Sequence, residues 1–457
     1  MPTLLERRYC RQHLHCVRHI TLDPKGRGVV RIHMMPPRDE ADNAPFLLLL
    51  NGSKLVPLNL SWAILLANFM DKLEPFSGLE ISESDWKSMA AGAVAETRRV
   101  YPFTPKQRLA DDLETMITSL VAIARRQEPE AEIAPLSLGE YAREMTAPHR
   151  MDLMISAMTR GGQWHCNQKC LHCYAAGQPL SDTAELTTDQ WKQALDTLRR
   201  IGVPQVTFTG GEPTLRDDLV ELVDAAQWFV TRLNTNGRLL TPELCRRLYE
   251  ASLDSVQVTL YSADPSIHNA LVGAEGFDDT VTGIKNAVAA GLSVSVNTPL
   301  CSLNEDYAAT VRFVHELGVR YVTCSGLIPS GSACGQESRA TALTLEQLTE
   351  VLRQAVDTAE ELGMELDFTS PGWLEEETLR SLGLNLIPSC GACLSNMAVT
   401  PDGKVVPCQS WLSDAPLGDL LHDEWADIWD SPRCAAIRAE SAKLEHICQL
   451  KGKEAAE

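Results

Sequence analysis

Residues 165–177 read HCNQKCLHCYAAG, which places Cys166, Cys170 and Cys173 in C-x-x-x-C-x-x-C spacing. A structural zinc site needs four protein ligands, and no fourth cysteine stands near these three in the sequence. A cluster of four irons and four sulfides (4Fe–4S) that only three thiolates hold leaves one iron open to a further ligand. The stretch therefore favours an iron–sulfur centre with an open iron. Three structural or zinc-binding cysteines are the alternative.

A glycine-rich stretch, Gly210-Gly211-Glu212-Pro213, follows further along the chain. Two glycines let the backbone approach a ligand closely, and Glu212 adds a carboxylate. Together with the cysteine motif, this stretch resembles the radical S-adenosylmethionine (SAM) superfamily. The resemblance implies that the open iron takes the amino and carboxyl groups of SAM, and that the GGEP stretch binds the SAM amino group.

The same resemblance implies further SAM contacts, at His172, Asn236, Ser262 and Asn297. Asn236 belongs to an Asn-Thr-Asn-Gly stretch that resembles the family pattern. The family often has an acidic residue directly after the serine, whereas here Ala263 follows Ser262 and Asp264 comes next. For Ser262 and Asn297 the alternative is a strand-end side chain that caps the backbone.

Strand-like and helix-like segments alternate from Met151 to about Pro329. The predicted strands are Leu153–Met158, Gln205–Phe208, Val230–Asn234, Ser255–Leu260, Ser293–Asn297 and Tyr321–Cys324. The predicted helices are Trp191–Ile201, Leu219–Ala226, Pro242–Ala251, Thr280–Ala290 and Asp306–Leu317. Repeated βα units require parallel strands with right-handed crossovers, and in such barrels the chemistry sits at the carboxyl ends of the strands. The pattern predicts an α/β fold with a partial (β/α)6 TIM-like barrel of the radical SAM type.

The N-terminal residues 1–105 predict a small α+β, winged-helix-like domain. Asn51-Gly52 is a hairpin turn signal between Phe46–Leu50 and Lys54–Pro57. A helix follows, with an apolar face that includes Trp62 and Phe69, and Asn59 or Ser61 can cap it. This order resembles the peptide-recognition domain of maturases of ribosomally made peptides, which adds a leader peptide as an extra strand. An ordinary small domain or a cap on the barrel is the alternative.

A second cysteine group lies near the C-terminus, where Cys390-x-x-Cys393 precedes a hairpin turn and Cys408. The run from Cys390 to Cys448 resembles SPASM domains, the auxiliary-cluster modules of radical SAM enzymes. Only Cys448 remains of the later cysteines of a full module, so the segment resembles the shortened "twitch" form with one auxiliary 4Fe–4S cluster. The resemblance implies Cys390, Cys393 and Cys408 as ligands, with Cys448 as the fourth and Cys434 as its alternative. A four-cysteine zinc site is the other alternative.

Cys324 ends the sixth predicted strand and is expected to point toward the barrel mouth. A thiol there can donate a hydrogen atom to a carbon radical, as in peptide epimerases of this superfamily. A small buried hydrophobic residue is the alternative, because free cysteine is usually one.

Length and composition agree with a multidomain enzyme. A chain of 457 residues predicts several domains. The expected divisions are a peptide-recognition-like domain at 1–105, a helical linker at 106–150, the radical SAM core at 151–335, a bridging helical segment at 336–387 and an auxiliary iron–sulfur domain at 388–457. Fourteen cysteines without an export signal favour metal or redox chemistry over disulfides.

Charge and hydropathy exclude several classes of partner. The formal net charge is −20 and no block of Lys or Arg is visible, so we expect no nucleic-acid partner. No apolar stretch approaches the ~20 residues of a membrane span. The N-terminal sequence has no apolar signal core, so we expect a cytoplasmic protein.

These observations predict a radical SAM enzyme that modifies a ribosomally synthesised precursor peptide. The resemblance implies reductive cleavage of SAM to a 5′-deoxyadenosyl radical, hydrogen abstraction from the peptide, and crosslinking through a thioether or carbon–carbon bond. A flavodoxin or ferredoxin is the expected electron donor. The alternatives are a peptide epimerase with a cysteine hydrogen donor, a radical SAM enzyme of cofactor biosynthesis, and an iron–sulfur redox sensor without enzymatic activity.

Overall fold

The computed structural model describes residues 2–22, 30–37, 45–52, 54–76, 81–124, 127–129, 145–443 and 446–454. The chain divides into two compact units. Unit 1 comprises Met1–Ala147 and Arg199–Pro204, and unit 2 comprises Pro148–Leu198 and Gln205–Glu457. The finer domain limits predicted from the sequence stay a prediction. No helix in the described ranges is both long enough and apolar enough to cross a membrane.

In its described ranges, unit 1 contains a four-stranded antiparallel sheet and four α-helices. Its strands, in sheet order, are β1 (Arg18–Leu22), β2 (Val30–Met35), β3 (Phe46–Leu50) and β4 (Lys54–Leu58). Its helices are α1 (Leu4–His13), α2 (Leu60–Leu73), α3 (Glu83–Val100) and α4 (Lys106–Ala124). The predicted hairpin is confirmed, because β3 and β4 pair from Phe46↔Leu58 to Leu50↔Lys54. Asn51 and Gly52 turn the chain with φ of 47° and 71°.

The core of unit 1 lies between the sheet and the helices. Asn59 caps α2, since its side-chain oxygen accepts a hydrogen bond from the Trp62 N–H at 3.0 Å. Leu48 and Val56 of the sheet share one buried apolar cluster with Leu113 and Met116 of α4. Helix α4, expected from the sequence at residues 108–126, therefore packs into unit 1. Most of the stretch predicted as a linker, residues 130–144, lies outside the described residues.

Unit 2 is built on a ten-stranded sheet whose central part is the predicted barrel. Six parallel strands correspond to the six predicted ones: β5 (Arg150–Ser156), β8 (Gln205–Gly210), β9 (Val230–Thr235), β10 (Ser255–Thr259), β11 (Ser293–Pro299) and β12 (Tyr321–Ser325). A separate two-stranded ribbon, β6 (Thr159–Arg160) and β7 (Gln163–Trp164), leads from β5 into the cysteine motif. The predicted α/β barrel is confirmed.

Helices follow the barrel strands in the predicted alternation. They are α5 (Thr188–Ile201), α6 (Leu219–Ala225), α7 (Pro242–Glu250), α8 (Pro265–Val272), α9 (Phe277–Ala289), α10 (Tyr307–Glu316), α11 (Gln336–Arg339), α12 (Leu345–Glu361) and α13 (Glu376–Ser381). The sequence analysis missed α8. Its start is marked by Asp264, whose carboxylate accepts hydrogen bonds from the N–H groups of Ser266 and Ile267.

The sheet extends beyond the six predicted strands on both sides. A seventh parallel strand, β13 (Glu365–Phe368), pairs with β12. On the other side the C-terminal hairpin, β14 (Asn396–Val399) and β15 (Lys404–Val406), joins the barrel, with β14 parallel to β5. A short strand β16 (Gly418–Asp419) and the helices α14 (Trp425–Trp429), α15 (Pro432–Lys443) and α16 (Gln449–Glu454) complete the unit. The cysteine-rich segment is therefore continuous with the barrel sheet.

Candidate active site

A cavity of about 650 Å³ opens at the carboxyl ends of the barrel strands in unit 2. Cys166, Cys170 and Cys173 line it, and so do three cysteines of the C-terminal group, Cys390, Cys408 and Cys448. The structure thus brings both cysteine groups of the sequence to one cavity. Its volume lies within the range of small-molecule and cofactor sites.

Backbone hydrogen bonds hold the first cysteine motif in place. The N–H groups of Lys169 and Leu171 donate to the carbonyls of Val272 and Leu271 at the end of α8, both at 2.9 Å. The Arg238 guanidinium donates to the Asn167 carbonyl at 2.7 Å. These main-chain contacts fix the conformation of the loop and therefore the positions of its three thiols.

The three thiols are partly buried and close to backbone N–H groups. Burial raises the pKa of the Cys166 thiol to about 12, while the N–H groups of Gln168 and Asn167 act against this rise. Burial and the two neighbouring thiols raise the pKa of Cys170 as well. Metal ligation requires thiolates, so bound iron would supply the positive charge that stabilises them. Three convergent thiols on a cavity wall, with N–H donors beside them, fit a three-thiolate iron–sulfur cluster.

The two glycines of the GGEP stretch are needed because strand β5 passes close by. A Cβ atom on Gly210, which has φ +134°, would lie 2.2 Å from the Ser156 carbonyl oxygen. A Cβ atom on Gly211 would lie 2.6 Å from the Ala157 carbonyl oxygen. The Gly211 carbonyl in turn accepts a hydrogen bond from the Cys166 thiol at 3.3 Å. The glycines therefore position the strand end against the cysteine motif, in addition to any approach of a ligand.

Glu212 is almost completely buried and its carboxylate is fully hydrogen-bonded. It accepts from the Thr214 N–H and hydroxyl, from the Thr235 hydroxyl, and from the Asn236 N–H at 2.8 Å. Burial raises its pKa, and these donors act in the opposite direction. Asn236 then donates to the Asn167 side chain at 2.6 Å. Glu212 therefore connects strand β9 to the cysteine motif, and its predicted contact with SAM stays a prediction.

The other predicted SAM residues differ in position. His172 and Asn297 line the cavity. Burial lowers the pKa of His172 to about 4, so the ring is neutral, and its Nε2 lies 2.8 Å from the Thr341 hydroxyl. Ser262 does not line the cavity, and its hydroxyl accepts from the Asp264 N–H at 3.0 Å. Pro213 is buried and begins the 3-10 turn Pro213–Leu215. Six of the eight predicted SAM residues thus line the cavity, and Pro213 and Ser262 do not; the six are His172, Gly210, Gly211, Glu212, Asn236 and Asn297.

Cys324 is turned away from the cavity, contrary to the orientation expected from the sequence. It is fully buried, and its neighbours Thr323 and Ser325 line the cavity instead. Successive side chains of a strand point to opposite faces, so Cys324 must face the surrounding helices. Burial raises its pKa, and its thiol interacts with Tyr307 of α10. This geometry gives no support to Cys324 as a hydrogen donor.

The C-terminal cysteines form two subgroups. Cys390, Cys408 and Cys448 line the cavity, whereas Cys393 and Cys434 form a side-chain hydrogen bond with each other. The Arg438 guanidinium also donates to the Cys434 sulfur at 3.6 Å. Cys448 shares the cavity with Cys390 and Cys408, which favours it over Cys434 as the fourth ligand, while the Cys434 sulfur accepts hydrogen bonds from Cys393 and Arg438.

We therefore expect Cys448→Ser and Cys434→Ser to differ in iron content. The reconstituted wild type should hold about eight irons, in two clusters of four. Cys448→Ser should lose most of the auxiliary cluster, leaving about four irons, because a ligand is gone. Cys434→Ser should stay near eight and shift only the auxiliary electron paramagnetic resonance signal. The reverse pattern would make Cys434 the ligand, and zinc in place of the auxiliary iron would establish the zinc alternative.

Within the described ranges, no group of three or more His, Cys, Asp or Glu side chains is arranged to hold a single metal ion. The sequence analysis also missed the polar interior of the barrel, which includes Arg150, Asp152, Thr207, Arg232 and Asn234. The available signal was the alternation of strand residues, since Thr207 and Thr209 share one face of β8 with the cavity, as Arg232 and Asn234 do on β9.

Comparison with known families identifies the class of protein. Residues 165–316 match the model of the radical SAM superfamily, and residues 390–450 match the SPASM iron–sulfur cluster-binding domain. The chain belongs to the radical SAM superfamily. Its cofactors are therefore SAM, the 4Fe–4S cluster that binds it, and an auxiliary 4Fe–4S cluster.

Several relatives and one solved fold show how widely this class varies. A Thermococcus kodakarensis protein described as "Probable GTP 3′,8-cyclase" is 30% identical over 252 residues, which are 53% of this chain and 81% of that protein. PqqA peptide cyclase of Streptomyces rochei is 29% identical over 274 residues, 58% of this chain and 73% of its own. The fold resembles Streptococcus suis SuiB bound to precursor peptide SuiA, with a TM-score of 0.60 at 15% identity, covering 90% of this chain and 93% of that chain.

Proposed function

We propose that this radical SAM enzyme modifies a ribosomally synthesised precursor peptide by forming a crosslink, through either a thioether or a carbon–carbon bond. The single observation that carries this function is the cavity that both cysteine groups line. A substrate residue in that cavity is within reach of the SAM site and of the auxiliary site together. Crosslinking needs both, because it removes a hydrogen atom and then one further electron and a proton from the substrate.

The proposed roles divide among the residues of unit 2. Cys166, Cys170 and Cys173 hold the SAM-binding cluster, and Cys390, Cys393, Cys408 and Cys448 hold the auxiliary cluster. When bound, these groups supply the electron that cleaves SAM and the resulting 5′-deoxyadenosyl radical. Glu212 and Asn236 hold the cysteine loop against the strand ends, and His172 offers a neutral ring to the cavity. A flavodoxin or ferredoxin serves as the electron donor.

Unit 1 is proposed to bind the leader part of the precursor. Strand β4 is at one edge of its sheet and, among the described strands, pairs only with β3. An edge strand offers unpaired N–H and C=O groups that a peptide strand can complete. Trp62 is partly buried and can border such a groove, but Phe69 is fully buried against Trp86 and cannot contribute the pocket expected from the sequence.

The relatives supply support for a peptide substrate and also a second candidate. PqqA peptide cyclase is a peptide-modifying relative, and SuiB shares the fold over most of both chains and binds a precursor peptide. The relative described as a GTP cyclase favours the alternative of cofactor biosynthesis. Epimerisation is the third possibility. A crosslinked peptide is lighter by two hydrogens, whereas an epimerised peptide keeps its mass.

The orientation of Cys324 gives a test within the peptide reactions. With a candidate precursor from a small open reading frame beside this gene, the wild type should give a product that is lighter by two hydrogens, measured by mass spectrometry. Cys324→Ala should give the same product at a rate within about twofold, since its thiol faces Tyr307 and not the cavity. A product of unchanged mass in the wild type, lost in Cys324→Ala, would establish epimerisation instead.

A further inference from the structure

Arg232 is a cation inside the barrel that the proposed chemistry does not use. It lies on β9 and lines the cavity. In the sheet it pairs with Thr207 on β8 and with Ser255 on β10. Within the described residues its guanidinium has no ion pair. The other interior arginine, Arg150, pairs with Asp152 at 2.9 Å. Asp152 is thus already engaged, and Arg232 is the uncompensated charge of this wall.

The surroundings of Arg232 contain further polar atoms without partners. The Thr207 hydroxyl and the Asn234 side-chain oxygen are buried and make no hydrogen bond in the described structure, and both residues line the cavity. Burial and the nearby Arg150 lower the pKa of Arg232, while Tyr321 and Asp152 act against this change. Each unpaired buried polar group costs about 1–3 kcal/mol unless a ligand or water satisfies it. Two such groups, Thr207 and Asn234, therefore lie beside the Arg232 guanidinium on two adjacent strands.

The site offers the positively charged guanidinium of Arg232 and the hydroxyl donor of Thr207, beside one acceptor, the side-chain oxygen of Asn234. A guanidinium binds a carboxylate through two parallel N–H···O bonds, and the Thr207 hydroxyl can donate a third bond to it. The Asn234 oxygen needs a donor, which a peptide N–H provides. The other carboxylate on the cavity wall, Glu212, is fully hydrogen-bonded to its own neighbours and does not compete for Arg232.

We propose that Arg232 and Thr207 bind a carboxylate of the substrate inside the barrel, while Asn234 accepts a hydrogen bond from an N–H of the same residue. The substrate residue held there is an Asp, a Glu or a C-terminal residue. Arg232 is three positions before Thr235, the last residue of β9, a rise of about 10 Å along the strand. The carboxylate is therefore held deeper in the barrel than the predicted SAM residues. This contact orients the part of the substrate that lies nearer to the SAM residues. Attribution of the carboxylate to a peptide rests on the proposed function.

The test uses the reconstituted holoenzyme with SAM and without reductant, so that no turnover occurs. The probes are N-acetylaspartic acid amide and N-acetylglycine, which carry a side-chain and a terminal carboxylate. Their controls are N-acetylasparagine amide and N-acetylglycinamide. Calorimetric titration should show that at least one acid binds about tenfold or more tightly than its amide, since charged hydrogen bonds exceed neutral ones in strength. The acid that binds tells the side-chain and terminal sources apart.

Variants assign the preference to Arg232. Arg232→Gln should bind acid and amide equally, and Arg232→Lys should keep part of the preference because it retains the charge. Arg246→Gln, on the exposed surface of α7, should behave as the wild type. Iron content and the affinity for SAM should be unchanged in all three variants.

Three results would overturn the carboxylate site: equal binding of acids and amides by the wild type, a preference that survives in Arg232→Gln, or a loss of SAM affinity in that variant. The last result would assign the cation to SAM itself. The probes carry no leader peptide, so their binding does not depend on whether the enzyme modifies a precursor peptide. The carboxylate site can therefore be tested even if the proposed peptide function is wrong. A carboxylate preference without modification of any precursor would indicate a small carboxylic acid substrate.

Discussion

Simultaneous replacement of Cys166, Cys170 and Cys173 by alanine is expected to abolish SAM cleavage. The three thiols converge on one cavity wall, and their loop is fixed by main-chain hydrogen bonds to the end of α8. Alanine offers no ligand, so this cluster cannot assemble, and reductive cleavage cannot proceed without it. With a strong reductant, formation of 5′-deoxyadenosine should fall from multiple turnovers to background in a chromatographic assay.

The iron content separates this loss from general unfolding. The triple variant should keep about four irons, those of the auxiliary cluster, because the C-terminal cysteines are unchanged. Cys334→Ala replaces an exposed cysteine outside the cavity lining and should keep wild-type turnover. Turnover that continues in the triple variant would remove these three residues from the SAM-binding cluster.

Loss of unit 1 is expected to weaken precursor binding by about a hundredfold, which corresponds to two or three backbone hydrogen bonds of about 1 kcal/mol each. The deletion must cover residues 1–144, since α4 belongs to the core of unit 1 and a cut at residue 105 would expose its apolar side chains. Fluorescence anisotropy with a labelled leader measures the affinity. Retained SAM cleavage in the absence of peptide shows that unit 2 is intact.

A point substitution in the full chain tests the edge of β4 itself. Proline is tolerated at an edge where its missing N–H faces away from the partner strand, so Pro57 indicates that Leu55, two residues before it, also directs its N–H outward. Leu55→Pro should weaken leader binding by about tenfold, because it removes a backbone donor. Leu55→Ala loses the side chain and keeps the donor, so it should bind the leader more tightly than Leu55→Pro. Equal effects of the two variants would contradict strand addition at β4.

Local sequence patterns predicted the six barrel strands but could not show which further strands join the same sheet. The six strands were found because each is a short apolar run followed by an amphipathic helix. The pairing of Asn396 with Arg150, which joins the cysteine-rich hairpin to the barrel, connects residues far apart in the sequence. No periodicity in either strand records that pairing, because strand order is set by long-range packing.

The direction in which strand side chains point was the second feature that the sequence could not predict. Strand β12 reads YVTCS, with no clear alternation of apolar and polar residues. Parallel barrel strands are covered on both faces, so the sequence does not show which residues face the cavity. For the same reason the sequence did not reveal that Arg232 faces the cavity, or that the carboxylate of Glu212 would be satisfied by its own neighbours. The cysteine motif was predictable because its three cysteines lie within a single short stretch, so that recognising it requires no knowledge of long-range packing.

Transfer of deuterium from the precursor to SAM-derived 5′-deoxyadenosine tests the central claim most directly. The enzyme would be incubated with reductant, SAM and a candidate precursor from a small open reading frame beside this gene, made from amino acids deuterated at every carbon-bound position. We predict 5′-deoxyadenosine that carries one deuterium, in amounts that match a peptide product lacking two of its hydrogen positions. Unlabelled 5′-deoxyadenosine together with a peptide of unchanged mass would contradict the proposed function, since SAM would then be cleaved without any reaction at the peptide.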